Sequence, residues 1–374
     1  MLKLRFPLPV FRNANEIANG KNARMALKGL VANRVALIIS PSFRKSKFFE
    51  QVVRLVNATS VRVIEKSWKG EPTVDELSGV VGELESFQPD YIVALGGGSI
   101  IDGAKLAWLL YECPTIDTDV LFRPFAIPPL RGRAKFAAIP TTVGAGSEVS
   151  SAAVMLDSAT QSKKAVVTHD FLPDLVILDP DLVSEVPLNI LRTTVADALS
   201  HAIEGYVSKI PHPLMETFAE QAVSIVYRYQ SQLKQDEWHI DMLSELQHAA
   251  MLAGWVQNHC VVGLSHAIAH QLGHFNVGHG LANGLLMSAV IEFNSQDKAV
   301  KQKYEQLIKN AGLPSRQALL DLFEGLTSGQ GVSLNLSNEQ LDSIAKNALL
   351  DPAAATNPVA FAEDDVKEIV KKCL

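Results

Sequence analysis

Through the first 180 residues, short runs of strand-forming residues alternate with stretches of helical spacing; beyond them no convincing strand remains. "VALIIS" (35–40), "VRVIEKSW" (61–68), "YIVAL" (91–95), "KFAAIP" (135–140) and "DLVILDP" (174–180) all have strand length. The most apolar of them lack the polar alternation of a half-exposed sheet. Strands buried on both faces and separated by helices belong to a parallel sheet with helices packed over it. "KSKFFEQVVRLVNA", "TVDELSGVVGELESF" (73–87) and "SIIDGAKLAWLLY" (99–111) are the intervening helices, and Thr73 with Glu76 has the capping-box spacing. From about residue 185, "ILRTTVADALSHAIEGYVS", "PLMETFAEQAVSIVYRYQSQL", "DMLSELQHAAMLAGWVQNHCV" and later segments all read as helix. The pattern predicts an α/β domain over residues 1–185 and an all-helical domain over 186–374, with no internal repeat. The proline-rich segment 113–134 is expected to be a surface loop.

The bulk numbers exclude several classes. A chain of 374 residues, 47% apolar and 20% charged, buries a substantial core. A formal net charge of −6 offers no general attraction for nucleic acid or an anionic membrane. The short basic clusters "FRKSKFF", "RGRAK" (131–135) and "KK" (371–372) read as solvated surface. Three scattered cysteines, Cys113, Cys260 and Cys373, fit a reducing compartment and no thiolate zinc site. No run of about 18 uncharged apolar residues occurs, and the N-terminus lacks the apolar core of a signal peptide. The expectation is a cytoplasmic protein.

Two loops suit a phosphate-bearing ligand. "YIVALGGGSIIDGAK" places Gly96, Gly97 and Gly98 between a strand and a helix. Glycines there admit close backbone approach, and the helix start offers free N–H groups and a positive dipole end. The motif is neither GxGxxG nor a Walker loop. "AIPTTVGAGSEVS" (138–150) repeats the arrangement with Thr141, Thr142 and Ser147, at the sheet edge where α/β ligands bind.

"GLSHAIAHQLGHFNVGHGLANG" (263–284) holds four of the ten histidines. His266, His270 and His274 are spaced i, i+4, i+8, near one helix face. Gly278 then breaks the helix, letting His279 swing back. Upstream, Asp197 and His201 stand four apart on another helix. Asp197, His201, His279 and one or two of the intervening histidines form an oxygen and nitrogen donor set suited to Fe²⁺ or Zn²⁺. His274 has no evident partner and reads as structural.

Taken in order, "GGGSIIDGAK", "IPTTVGAGSE", "DLVILDP", "DALSHAIEGY" and "GLSHAIAHQLGHFNVGHGLAN" resemble the iron-containing (group III) alcohol dehydrogenase family over nearly the whole chain. The resemblance implies the dehydroquinate synthase-like fold: an N-terminal dinucleotide-binding α/β domain, an all-α metal-binding domain and a cleft between them. It implies a metal held by Asp197, His201, His266 and His279, with His270 as the proton relay. Gly97, Gly98 and Ser99 fall at the pyrophosphate, with Asp102 supporting that loop. Thr141 and Thr142 fall at the nicotinamide half, and Lys163, or alternatively Lys164, is a further cofactor contact. The implied reaction is hydride transfer between NAD(P)(H) and a primary alcohol or aldehyde, with Fe²⁺ (or Zn²⁺) as Lewis acid on the substrate oxygen, in a homodimer.

Several positions depart from the family pattern. The His270–His279 spacing is one residue shorter than in many relatives, and Gly278 stands where proline is usual. Ala196 replaces a frequent glycine, and Ala145 stands where a cofactor-contacting threonine is common. Many NAD-preferring members end the first strand with an aspartate that repels a 2′-phosphate. Here the strand ends "IISPSFRKSK", with Ser40 and Ser42 hydroxyls and the Arg44, Lys45 and Lys47 charges, which favours NADP(H) slightly. Trp255, His259 and Cys260 are weighed as pocket residues, and Arg131 or Arg133 as a docking point for an acidic substrate. A maleylacetate-reductase-like metal-independent reductase, a dehydroquinate-synthase-like lyase and a non-catalytic metal- or nucleotide-binding relative are the alternatives.

Overall fold

The computed structural model describes residues 10–157, 163–235, 237–332 and 334–374. The start of the N-terminal segment on which the signal-peptide reading rests, residues 1–9, lies outside them. The strands are β1 (Glu16–Asn19), β2 (Arg34–Ile39), β3 (Ser60–Glu65), β4 (Tyr91–Gly96), β5 (Lys135–Pro140), β6 (Ala152–Leu156), β7 (Lys163–Val167) and β8 (Leu175–Leu178). Helices α1 (Pro41–Arg44), α2 (Phe49–Leu55), α3 (Val74–Phe87), α4 (Gly98–Glu112), α5 (Thr118–Leu121) and α6 (Pro180–Val183) lie among or just after them. The remaining helices are α7 (Leu188–Val207), α8 (Pro213–Arg228), α9 (Gln230–Lys234), α10 (Ile240–Cys260), α11 (Leu264–Leu272), α12 (His279–Asn294), α13 (Lys298–Asn310), α14 (Arg316–Thr327), α15 (Asn338–Leu350) and α16 (Glu363–Cys373).

Six strands form one wholly parallel sheet in the order β1-β8-β5-β4-β2-β3. Every residue of β4 is buried, as an apolar strand covered on both faces must be. The expected capping box starts α3: Thr73 Oγ1 accepts from Glu76 N–H, and Thr73 N–H donates to Glu76 Oε2 at 2.9 Å. The register aligns the strand ends, Ile39 with Leu95 and Glu65, and Gly96 with Pro140. Ser40, Lys66, Gly97 and Thr141 therefore leave the sheet along one edge.

β8 ends at Leu178, and from Leu188 on all regular structure among the described residues is helical. Val195 to Val207 of α7 are all buried, so this helix is enclosed on every side by its neighbours. Polar groups on such a helix must find partners inside the protein, and this one carries Asp197, His201 and Glu204. The loop after β5 is wedged against the helices. Gly146 sits at φ +64°, and a Cβ there would stand 2.5 Å from Gly254 Cα of α10, so both the turn and the contact require glycine.

Four local differences from expectation remain. β3 stops at Glu65, and Trp68 folds over α4, its indole donating to Ser99 O at 3.3 Å. β1 is a four-residue edge strand, too short and polar to show a pattern. β6 and β7 form an antiparallel pair beside the main sheet, and segment 113–134 contains one short helix, α5.

Candidate metal centre and cofactor cleft

Asp197 and His201 lie one turn apart on α7, His266 is in the first turn of α11, and His279 opens α12 after Gly278. One ligand atom from each of the four lies within 4.8 Å of all the others. Asp197 Oδ1 is 3.8 Å from His201 Nε2, 3.6 Å from His266 Nε2 and 3.5 Å from His279 Nε2. These separations exceed good hydrogen bonds. They match donors around a shared ion: ligands at about 2.1 Å in a tetrahedron stand about 3.4 Å apart. His266 Nε2 is buried without a hydrogen-bond partner. Three imidazoles and one carboxylate suit Zn²⁺ or Fe²⁺, so the residues fit a divalent metal.

A second layer holds these groups in place. His266 Nδ1 bonds Glu204 Oε2 at 2.5 Å, which turns Nε2 toward the cluster. Glu204, fully buried, also accepts from Gly263 N–H at 3.0 Å and Ser265 N–H at 2.6 Å. Asn283, one turn after His279, donates to Asp197 Oδ1 at 2.9 Å. Outer partners of this kind orient metal-binding imidazoles and tune their basicity. Burial would raise the Asp197 carboxyl, but His201, His279 and His266 hold it well below the usual carboxylate range. Burial pushes His201 down to about 4, against the pull of Asp197. Burial also opposes charge on His266, yet the Asp197 and Glu204 carboxylates outweigh it and hold that imidazole up at about 9.

The histidine run does not continue along one face. α11 ends at Leu272, and His274 falls in a short 3₁₀ turn, exposed and away from the cluster. His270 stays with it, its ring parallel to that of His279 at 5.3 Å between centroids. Its Nδ1 is 2.8 Å from Asp351 Oδ2.

The loops beyond β4 and β5 touch each other beside the metal helices. Thr141 N–H donates to Gly96 O at 3.0 Å, and a Cβ on Gly97 would meet Thr142 Oγ1 at 3.2 Å. A Cβ on Gly98 would stand 2.7 Å from Ala145 Cβ, so a side chain there would close the gap between the loops. Ser99 donates its hydroxyl proton to Gly70 O and accepts from Lys66 Nζ at 3.1 Å. The cation beside the glycine loop is thus Lys66. Asp102 accepts from Val154 N–H at 3.1 Å and so ties α4 to β6. Behind it the fully buried Lys105 donates to Ser147 O and Ser150 O at 2.6 and 2.7 Å and fixes the second loop.

Of the two candidate lysines, Lys163 faces the metal helices: a Cβ on Gly273 would lie 3.5 Å from its Nζ. It pairs with Glu71 at 2.7 Å. Lys164 turns the other way, to Asp157 and the Phe122 ring. Ser40 caps α1, accepting from Phe43 N–H at 3.0 Å, and Arg44 stacks on Phe49 and faces Glu65 at 3.6 Å. No residue-type signal marked Lys66 or Glu71. Glu204 and Asn283 did carry one, each lying on the face of its helix that bears a ligand.

Two expectations are corrected. Trp255 and His259 pack with Phe11, Trp255 donating to Asn13 and His259 accepting from Arg12 N–H, and Cys260 is buried under Gly205. Arg131 is tied to Asp174 and Leu172 O, and Arg133 to Glu85. Both arginines precede β5, at the opposite end of the sheet from the glycine loops, and their guanidinium groups are engaged.

Among the described residues no helix is long and apolar enough to cross a membrane. The model of the iron-containing alcohol dehydrogenases matches residues 14–180, and that of the C-terminal part of the Fe-containing alcohol dehydrogenase family matches residues 192–374. The chain is 29% identical to an NADPH-dependent butanol dehydrogenase of Clostridium saccharobutylicum, over 98% of its own length and 97% of that protein's. It is 30% identical to an alcohol dehydrogenase of Thermococcus barophilus, covering 91% of this chain and 92% of the other. Among solved structures, the iron-containing alcohol dehydrogenase of Thermococcus thioreducens superposes with a TM-score of 0.87 at 28% identity, over 98% and 99% of the two chains.

Proposed function

This chain belongs to the iron-containing alcohol dehydrogenase family, and from that premise we propose that it is a metal-dependent, NAD(P)(H)-dependent oxidoreductase of primary alcohols and aldehydes. The observation that carries the reading is the donor set of Asp197, His201, His266 and His279, gathered within 4.8 Å on helices of which α7 touches the loop after β5, where a Cβ on Gly144 would meet Thr194 O. Held there, Fe²⁺ (or Zn²⁺) supplies Lewis-acid polarisation of the substrate oxygen. The chain's own residues do the rest. Backbone N–H groups of Gly97, Gly98 and Ser99, with Lys66 beside them, seat the cofactor's pyrophosphate. Thr141, Thr142 and Lys163 would hold its nicotinamide end. The Lys163 ammonium, paired with Glu71 at 2.7 Å, would exchange that carboxylate for the cofactor. His270 takes the hydroxyl proton during alcohol oxidation and returns it during aldehyde reduction.

NADPH serves at least as well as NADH in this reading. Ser40 ends β2 without a carboxylate, and Arg44 and Lys66 stand nearby. The NADPH dependence of the butanol dehydrogenase relative supports it. The test is oxidation of NADPH and NADH with short aldehydes by anaerobically Fe²⁺-loaded protein, beside a chelated control. Turnover lost on chelation and restored by metal is expected. Equal turnover in the chelated control refutes the metal role, and a strong NADH preference refutes the cofactor reading.

A further inference from the structure

His270 borders the metal cluster without belonging to it, and its outer nitrogen is held by a residue distant in sequence. Asp351 terminates α15, 81 residues beyond His270. Its Oδ2 lies 2.8 Å from His270 Nδ1, while its Oδ1 accepts from Ala353 N–H at 2.9 Å and caps the 3₁₀ turn at Pro352–Thr356. The Asp351 side chain is 10% exposed, so both oxygens are held in a largely dry setting. A carboxylate only accepts hydrogen bonds. The proton of the shared bond therefore sits on His270 Nδ1, and in the neutral imidazole Nε2 carries the lone pair. An unanchored neutral imidazole exchanges between two tautomers; this one is fixed in one, and its ring is fixed parallel to His279.

We propose that Asp351 is the positioning residue of the proton-transfer group, setting the tautomer and orientation of His270 so that Nε2 exchanges the proton with the substrate oxygen. This rests on the reading of His270 as proton carrier. The alcohol O–H bond breaks as Nε2–H forms, while the hydride goes to the nicotinamide; aldehyde reduction reverses both transfers. Asp351 touches neither substrate nor cofactor and acts through His270.

Asp351→Asn separates this role from a structural one. An amide can keep its oxygen on Ala353 N–H, preserving the cap, while its NH₂ replaces Oδ2 and donates to Nδ1. The tautomer then inverts, and Nε2 carries the proton. The measurement compares Fe²⁺-loaded wild type, Asp351→Asn, Asp351→Glu and His270→Gln in NADP⁺-dependent 1-butanol oxidation, where Nε2 must accept the proton, with iron content and melting temperature for each. Asp351→Asn is expected to keep its iron, fold and alcohol KM while kcat falls about 100-fold, within the range of general acid–base contributions. Asp351→Glu, which restores a carboxylate, is expected to recover part of that loss. Long-range ¹H–¹⁵N spectra of histidine-labelled, Zn²⁺-loaded protein read the tautomer without any turnover; the His270 signal is the one missing from His270→Gln. Wild type should show Nδ1–H and Asp351→Asn should show Nε2–H. If His270→Gln loses activity but Asp351→Asn keeps wild-type kcat, the positioning role is overturned and the function stands. If His270→Gln keeps full activity, the proton-carrier reading fails instead. A wild-type Nε2–H signal overturns the proposal whatever the kinetics.

Discussion

Replacing Glu204 with Gln tests whether the buried layer behind His266 governs metal binding. The carboxylate accepts three donors: Gly263 N–H and His266 Nδ1 on Oε2, and Ser265 N–H on Oε1. Glutamine has one acceptor oxygen. Placed at the Oε2 position, it leaves Ser265 N–H facing an NH₂ group; placed at Oε1, it abandons two donors. The smallest loss is one buried, unsatisfied backbone N–H, worth about 1–3 kcal/mol. The metal-free protein should therefore melt several degrees lower yet remain folded. His266 also loses its charge-assisted partner. Outer-partner losses of this kind cost about 10–100-fold in metal affinity, or roughly 1.4–2.7 kcal/mol. Chelator competition for Fe²⁺ under anaerobic conditions measures that affinity, and circular dichroism confirms the fold. A folded Glu204→Gln protein that binds Fe²⁺ within twofold of wild type refutes the assignment of Glu204 to the metal centre.

Ser40→Asp keeps a helix-capping side chain but adds a carboxylate at the end of β2; the ratio of kcat/KM for NADPH to that for NADH should fall more than about tenfold, and an unchanged ratio would remove Ser40 from the cofactor site. Lys66→Met removes the cation 3.1 Å from Ser99; cofactor KM should rise about 10–150-fold, the worth of one charge-assisted bond, with iron content unchanged, whereas a normal KM would show that Lys66 does not reach the phosphates. Glu148 is buried beside Lys105 and Asp102, and burial lifts its carboxyl from 4.5 to about 7 despite the lysine. The folded chain thus holds a proton that the unfolded chain releases between those values, so stability falls as pH rises through that window. Glu148→Gln should abolish this component, on the order of 2–3 kcal/mol, and parallel stability–pH curves for the two proteins from pH 4.5 to 7 would refute it.

The ligands and their supports differ in how visible they were in the sequence. Asp197, His201 and His279 stood out because their residue types are uncommon on apolar helices, whereas His266 was told from its neighbouring histidines only by the family resemblance; the break expected at Gly278 comes earlier, at Leu272. Glu204 carried a readable signal, seven residues after Asp197 and three after His201, on the same face of a helix enclosed by its neighbours. A carboxylate there required a buried donor, and the donors proved to be His266 and the turn before it. Asp351 had no local signal, because its partner is 81 residues away and only the packing of α15 against α11 joins them. His274 shows the converse: its spacing was right, but the α-helix ends two residues before it, so helical periodicity no longer applied.

The cofactor edge follows a different logic, in which topology informs more than motif. In a parallel sheet every strand runs in one direction, so the residues just past the strands collect along a single edge. Here Ile39, Glu65, Leu95 and Ile139 are in register across four adjacent strands. Ser40, Gly97 and Thr141 were recognisable from residue type and motif. Lys66 was not, since a lysine after "VRVIE" resembles any solvated strand end. Once β3 is placed at the sheet edge beside β2, the same register rule selects Lys66 as it selects the glycine loop. It also accounts for Arg131 and Arg133: two residues that precede β5 lie at the wrong end of the sheet to meet a ligand held at its carboxyl edge.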